Sequence, residues 1–187
     1  MASIHTQMRQ LAEKIILHGI DHWPENSESE DAIFNRKISI LHMDQGVELV
    51  LKAYLLQSGY LIHRIMQKKV KKGLKSGARI DGFLDENKTL EFEDARQLCK
   101  KLLKACARKQ HTTRYSIQLN GLAELHKKRN EIQHFGVGVR GKTTGLISSA
   151  LSDLVEIYEL TEFEAEGFVE RVEDFINKIR DSYFENP

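Results

Sequence analysis

Proline is almost absent from this sequence, since Pro24 and Pro187 are the only two. Because proline interrupts helices, its scarcity leaves long stretches free to be helical. Regular alternation of apolar and polar residues, the pattern of half-buried strands, is also missing. Apolar residues recur instead at helical spacing, which predicts an all-α fold, a single helical bundle of about five to seven helices.

Cysteine and long apolar runs are scarce as well. Cys99 and Cys106 are the only two cysteines, too few for a disulfide framework, and buried free thiols of a reducing cytosol explain them best. No apolar run is long enough to span a bilayer. Residues 1–5 lack the basic start and apolar stretch of a secretory signal. We therefore expect a cytoplasmic protein with no membrane association.

The formal net charge of +1 hides an uneven distribution along the chain. Residues 143–187 hold 3 Lys/Arg against 11 Asp/Glu, and the other residues hold 25 against 16. Much of the basic excess lies in residues 64–79 and 96–114. Basic faces of this kind attract polyanions such as RNA, although solvated helix faces are the plainer interpretation.

We expect one domain over residues 1–187, with a helix and loop in residues 1–30 and a core bundle in residues 31–187. A glycine-rich connection is expected over residues 136–145, and Ser58-Gly59 and Ser116 are interpreted as helix stop and helix cap. Helices are predicted over residues 4–18, 32–57, 91–108 and 116–135, with a weaker helix over 60–75, a loop over 81–90, and one or two closing helices over 146–184. In the helix 91–108, the residues predicted to face inward are Phe92, Ala95, Leu98, Leu102, Leu103 and Ala105.

The predicted helix 116–135 carries an unusual arginine. On a helical wheel, Arg129 falls at the edge of the apolar stripe, beside a polar arc. A guanidinium at such a margin needs an anion or a partner subunit. The stripe consists of Leu122, Leu125, Ile132 and Phe135, and the arc of Gln133, His126, Asn130 and His134.

Arg129, Asn130 and His134 together suit metal-free cleavage of a phosphodiester. Imidazole can take a proton from an RNA 2′-hydroxyl or give one to a leaving oxygen. Arginine offers a forked cationic donor to the phosphate, and Asn130 could orient the imidazole or hold a phosphate oxygen. The structural alternative is that Arg129 pairs with Glu131 or an acid of the last helix, while His134 caps the end of its own helix.

Arg129-Asn130-x-x-x-His134 resembles the Arg-x(4–6)-His motif of HEPN domains. The segment from Gln45 to Gly59, which contains Lys52-Ala53-Tyr54-Leu55, resembles the early long helix of that family. The order of these segments and the acidic helical tail are similar too, so that the likeness spans roughly residues 33–184. One common toxin form of the family has a tyrosine two residues after the histidine, where this chain has Gly136.

The resemblance implies a helical bundle that forms a homodimer, with two Arg-His pairs facing each other across a cleft. It implies a metal-independent endoribonuclease, of the kind found as toxins and phage-defence effectors, with RNA as substrate and an antitoxin or defence-system protein as partner. The alternative is a non-catalytic HEPN-like module that binds nucleotides or acts as a scaffold. Neither a metal nor a cofactor is expected.

Substrate-binding residues are predicted around this motif. Polar residues of the early helix often border the cleft in HEPN proteins, which makes Asp44 and Glu48 candidates, although Glu48 could instead pair with Lys52 along its own helix. His126 lies in the polar arc and is a further candidate. Arg140 and Lys142, from the glycine-rich connection, could hold the RNA backbone.

Two other patterns are weaker. Residues 136–143 match the phosphate-loop motif G-x-x-x-x-G-K-[ST] letter for letter. They follow a helix rather than a strand, and too little chain remains for a parallel sheet, so a nucleotide-hydrolysing site is not expected. His18 and His22 have metal-compatible helical spacing, but without a third ligand nearby we do not expect a zinc site.

Overall fold

Six α-helices and a two-stranded sheet make up the part of the chain that the computed structural model describes: residues 3–24, 29–60, 63–65, 84–109, 117–136, 143–161, 163, 165 and 167–185. In chain order the elements are α1 (Ile4–Asp21), α2 (Glu30–Gln57), β1 (His63–Ile65), β2 (Leu84–Thr89), α3 (Phe92–Lys109), α4 (Asn120–Phe135), α5 (Thr143–Leu160) and α6 (Phe168–Glu185). The predicted helical bundle is confirmed, because these helices contribute nearly all of the hydrophobic core.

Local capping explains where α1 and α2 begin and where α2 ends. Ser3 Oγ accepts a hydrogen bond from the Thr6 amide at 3.3 Å, and Ser29 Oγ accepts one from the Ala32 amide at 3.2 Å. At the other end of α2, the Tyr60 amide donates to Leu55 O at 2.8 Å and the Gly59 amide donates to Leu56 O at 3.0 Å. These two bonds form a Schellman motif, for which the left-handed φ of 81° at Gly59 is required.

Helix α2 lies at the centre of the bundle. It packs against α1, α3 and α4, while α5 packs against α3, α4 and α6. A helix surrounded in this way must bury residues on several faces, and the buried side chains of α2 include Met43, Asp44, Val47 and Leu51. Asp44, the aspartate among these buried residues, lies at the candidate site.

The two-stranded sheet corrects the predictions for residues 60–75 and 81–90. Strands β1 and β2 pair antiparallel, with His63 opposite Thr89 and Ile65 opposite Leu84. The predicted helix is therefore wrong at His63–Ile65, and the predicted loop is wrong at Leu84–Thr89. Tyr60 is not helical either, and the rest of the predicted helix, residues 61, 62 and 66–75, lies outside the described residues.

Several predicted boundaries and faces are also wrong. Helix α1 continues one turn past residue 18, to Asp21, and α4 begins at Asn120 after a left-handed Leu119 with φ 54°. Ser116, the predicted cap of α4, lies outside the described residues. Helix α5 begins at Thr143, so the connection before it is shorter than predicted. Ala105, predicted to face inward, is exposed.

Both cysteines are free thiols, as expected, although only Cys99 is buried and Cys106 is partly exposed. Burial raises the pKa of Cys99 to about 12, so this thiol stays protonated at neutral pH. None of the helices in the described ranges is long and apolar enough to cross a membrane.

Candidate functional site

Helix α4 carries the predicted motif, and α5 holds α4 in place. The α4 start has no side-chain cap of its own, because Leu119 stands at the capping position. Instead, the Asp153 carboxylate of α5 accepts a hydrogen bond from the Leu122 amide at 3.2 Å. Burial raises the pKa of Asp153, while the hydrogen bonds from the amides of Leu122 and Gly121 act in the opposite direction. The start of the motif helix is thus fixed by a residue from a neighbouring helix.

Asp44 of α2 is the centre of the site. Its side chain is only 1% exposed, and its two carboxylate oxygens each lie 3.2 Å from His126 Nδ1. Arg129 Nε lies 3.5 Å from Asp44 Oδ2. The structure therefore brings together Asp44, His126 and Arg129, three of the predicted site residues. A buried carboxylate is stable only with such partners.

The ring of His126 is held on its other side by Phe92 at the start of α3. The two rings are stacked, with centroids 4.0 Å apart and planes 1° from parallel. Phe92 itself is buried. The stack fixes the plane of the imidazole while Asp44 fixes its rotation, so His126 has one defined orientation.

Charged residues of α3 extend the site. Glu93 accepts hydrogen bonds from Arg96 Nη2 at 2.7 Å and Nε at 2.9 Å. The pKa of Glu93 is lowered to about 2, first by the hydrogen bond from Arg96 and then by that from Gln97. Arg96 Nη1 also donates to the carbonyl of Leu119 at 3.0 Å, which secures the chain just before α4.

Arg129 lies at the margin of the core, as the helical wheel predicts. Its side chain is 31% exposed, and its Nη1 donates to Asn130 Oδ1 at 2.8 Å. The structural alternative, a pair with Glu131 or with an acid of the last helix, is not seen among the described contacts: Arg129 pairs with Asp44, and Glu131 pairs with Lys128 at 3.1 Å. A partly exposed guanidinium anchored through Nε keeps further donors for an anion.

His134 lies apart from the Asp44 cluster. It is exposed in the last turn of α4. It is five positions after Arg129, which corresponds to about 7.5 Å along a helix axis. The side-chain hydrogen bond of Asn130 goes to Arg129, and among the described contacts His134 touches only the ring of Phe135. The structure thus does not show Asn130 orienting His134 within one protomer.

The end of α4 projects from the bundle. Phe135, predicted to belong to the apolar stripe, is 79% exposed, whereas Leu122 and Leu125 are fully buried. Gly136 ends the helix in the left-handed conformation with φ 59°, and Lys37 Nζ donates to its carbonyl at 3.2 Å. Lys37 therefore brings the first part of α2 next to the exposed end of α4.

The remaining predicted residues are not brought into the cluster. Glu48 accepts a hydrogen bond from Lys52 Nζ at 2.6 Å, which is the alternative pairing along α2. Arg140 and Lys142 lie outside the described residues, as does most of the loop that matches the phosphate-loop motif.

Sequence reasoning missed Phe92, Glu93 and Arg96 as parts of the site. The inward-facing position of Phe92 was predicted, but nothing in its local sequence indicates an imidazole above it.

A second group of histidines lies away from this site. His18 Nδ1 and His42 Nδ1 are 2.8 Å apart, and His22 Nε2 and His18 Nε2 are 3.2 Å apart. His18 contacts the other two rings through both of its ring nitrogens. The nitrogens of the three histidines therefore do not converge on one point. Among the residues that the structure describes, no group of three His, Cys, Asp or Glu side chains could hold a metal ion.

These histidines predict a dependence of stability on pH. The pKa of His42 is lowered from its ordinary value of 6.5, mainly by burial and then by His18 and His22. The unfolded chain therefore binds more protons than the folded protein just below pH 6.5, so stability falls as the pH falls through this value. The loss of stability ends once the pH is below the lowered pKa of His42 in the folded protein.

Urea unfolding between pH 7.5 and pH 5 measures this dependence. We expect His42→Gln to unfold with a smaller loss of stability on acidification than the wild type, whereas His5→Gln keeps the wild-type loss. An unchanged slope in His42→Gln would show that other groups cause the acid sensitivity.

Comparison with known proteins finds no relative: no protein-family model, no curated protein and no solved structure matches the chain. The contacts among Asp44, His126 and Arg129 are therefore the observations from which a function can be argued.

Proposed function

We propose that this chain is a metal-independent endoribonuclease of the HEPN type, acting as a homodimer and serving as a toxin or phage-defence effector. The observation that supports this proposal is the environment of Arg129. Its guanidinium is anchored by the buried Asp44 carboxylate, is partly open to solvent, and lies on the same helix as the exposed His134. Such an arrangement offers a fixed cation for a phosphate and a titratable group for proton transfer.

In the proposed reaction, the RNA 2′-hydroxyl attacks the neighbouring phosphorus. Arg129 binds the phosphate and stabilises the charge that grows on its oxygens. His134 transfers a proton at one of the reacting oxygens. Because the anchor of Arg129 is an internal carboxylate, the guanidinium keeps its orientation before RNA binds, which lowers the reorganisation needed in the transition state.

Exposed apolar residues support the homodimer. Phe135 is 79% exposed and Phe34 is 61% exposed. Phe34 precedes Lys37 by about one turn of α2, and Lys37 contacts Gly136, so both phenylalanines lie at the same end of the bundle. Large exposed aromatic residues near each other are typical of protein interfaces. Burial of this surface between two copies would bring their two His134 side chains towards one cleft.

The test is incubation of the purified protein with labelled RNAs in EDTA. We expect cleavage without added metal and products that end in a 2′,3′-cyclic phosphate and a 5′-hydroxyl. Arg129→Ala is expected to lower the cleavage rate by about 10²-fold, since it removes the phosphate donor. Arg171→Ala is the matched control, because Arg171 forms an exposed pair with Asp21 at 2.8 Å outside the Asp44 cluster. Metal-dependent products with 5′-phosphates would contradict the proposal.

A non-catalytic module is the second candidate. It is favoured by the ion pair of Arg129 with Asp44 and its hydrogen bond to Asn130, which give the arginine a structural role without any substrate. This candidate predicts that no RNA is cleaved by protein shown to be folded and dimeric. It also predicts that Arg129→Ala weakens dimerisation or nucleotide binding, which sedimentation and calorimetry would measure.

A further inference from the structure

We propose that His126, oriented by Asp44, is the general base of the proposed ribonuclease reaction, and that His134 is the general acid. This inference rests on the proposed function and adds a second proton-transfer residue to it. A carboxylate can only accept hydrogen bonds, so the hydrogen in the two 3.2 Å contacts lies on His126 Nδ1. The neutral ring then carries its lone pair on Nε2, which is the atom that can take a proton.

The surroundings of His126 are those of an oriented base. Asp44 fixes its rotation from α2, and Phe92 fixes its plane from α3. The charged groups that face the ring are Asp44, Glu93 and Arg129. The side chain is still 23% exposed, so it is not sealed in the core. Nucleophile activation in enzymes commonly uses a base that a third group orients in this way.

His126 is also next to the phosphate-binding residue. Arg129 follows it by three positions on the same helix, a spacing that places Cβ atoms about 5–6 Å apart. Both side chains contact the same carboxylate, with Arg129 Nε at 3.5 Å. A phosphate held by the remaining guanidinium donors would therefore lie on the same face of α4 as the imidazole. His134, eight positions from His126, is about 12 Å away along the helix axis, so the proposed acid at the same phosphate is the His134 of the second copy in the proposed dimer.

The proposed step forms one bond to phosphorus and breaks another. His126 Nε2 takes the proton of the RNA 2′-hydroxyl, and the 2′-oxygen forms a bond to phosphorus. The bond between phosphorus and the 5′-oxygen breaks, and the leaving oxygen takes a proton from the imidazolium of His134 in the dimer cleft. The products are a 2′,3′-cyclic phosphate and a 5′-hydroxyl, and both histidines return to their starting states by exchange with water.

Substrates with a sulfur in place of the bridging 5′-oxygen separate the two roles. A thiolate leaves without protonation, so His134→Ala is expected to cleave the sulfur-bridged RNA at nearly the wild-type rate. His126→Ala is expected to cleave both RNAs about 10²-fold more slowly than the wild type. If both variants cleaved the sulfur-bridged RNA at nearly the wild-type rate, the assignment of His126 as base would be overturned.

Two further measurements distinguish catalysis from a structural role of His126. Free imidazole is expected to restore part of the activity of His126→Ala, because the substitution leaves a space between Phe92 and Asp44. The acidic limb of the rate–pH profile is expected to disappear in this variant. A slower variant that imidazole does not rescue, and whose residual activity keeps the acidic limb, would show that His126 only supports the fold.

The outcomes also separate this inference from the proposed function. If the wild type cleaves RNA and His126→Ala cleaves it equally well, the inference is wrong and the ribonuclease proposal stands. If folded, dimeric wild-type protein cleaves no RNA, both are wrong. Nitrogen NMR of the His126 ring at neutral pH gives a readout without RNA, and protonation on Nε2 rather than Nδ1 would also overturn the inference.

Discussion

Substitution of His134 by alanine is expected to lower the rate of RNA cleavage by about 10²- to 10⁴-fold and to change stability little. The large loss follows from its proposed role as proton donor. The small change in stability follows from its position, because His134 is exposed and its described contact is with the ring of the exposed Phe135. An exposed histidine in the last turn of a helix typically contributes about 0.3–1 kcal/mol through the helix dipole.

Single-turnover kinetics in EDTA and thermal unfolding of the same samples measure the two effects. His5→Ala is the control, since His5 lies on α1 and hydrogen-bonds Ser3 Oγ at 2.9 Å; it should cleave RNA like the wild type. Equal activity of His134→Ala and the wild type would indicate a contaminating nuclease or a misplaced site. A large drop in the unfolding temperature would mean that His134 has a structural role.

Substitution of Gly121 by alanine is expected to destabilise the protein by about 1–3 kcal/mol or more. A Cβ atom at this position would lie 2.5 Å from the Ser149 backbone carbon and 2.6 Å from the Ala150 nitrogen. Backbone atoms cannot move aside as a flexible side chain can, so α4 and α5 would have to separate. Because α4 carries His126, Arg129 and His134, the substitution is also expected to lower activity.

The matched control for Gly121→Ala is Gly145→Ala in α5. Gly145 has nothing within 4 Å of the position that a Cβ would take. Alanine is a better helix former than glycine, so this substitution is expected to stabilise the protein by about 0.5–1 kcal/mol. Urea unfolding at neutral pH compares the two variants. Equal effects of the two substitutions would show that helix propensity, rather than the close approach of α4 and α5, decides the result at Gly121.

The sequence was a good guide to the helices because their signals are local. The serine cap, the apolar spacing and the Ser58-Gly59 stop of α2 all lie within or beside the helix that they define. Strand β2 has no such signal. Its residues Asp85, Glu86, Asn87 and Lys88 are of types depleted in strands, so its pairing with β1 depends on the chain as a whole.

The candidate site was predictable only in part, for a similar reason. A helical wheel gives the direction of a side chain, and it placed Arg129 correctly at the margin of the core. A helical wheel does not show where along the helix the core ends, and for this reason Phe135 was wrongly placed on the buried face. The contact between His126 and Asp44 joins residues 82 positions apart, and Asp44 was a candidate only through the family resemblance.

The cap that Asp153 provides for α4 has a consequence for synthesis of the protein on the ribosome. A nascent chain that stops between residues 136 and 152 already contains the whole Arg129–His134 motif but still lacks the carboxylate that caps the α4 start. The start of the motif helix therefore gains its carboxylate cap only after α5 has been made and has docked. In a nuclease, this order would delay assembly of the site until α5 has been synthesised and has docked on α4.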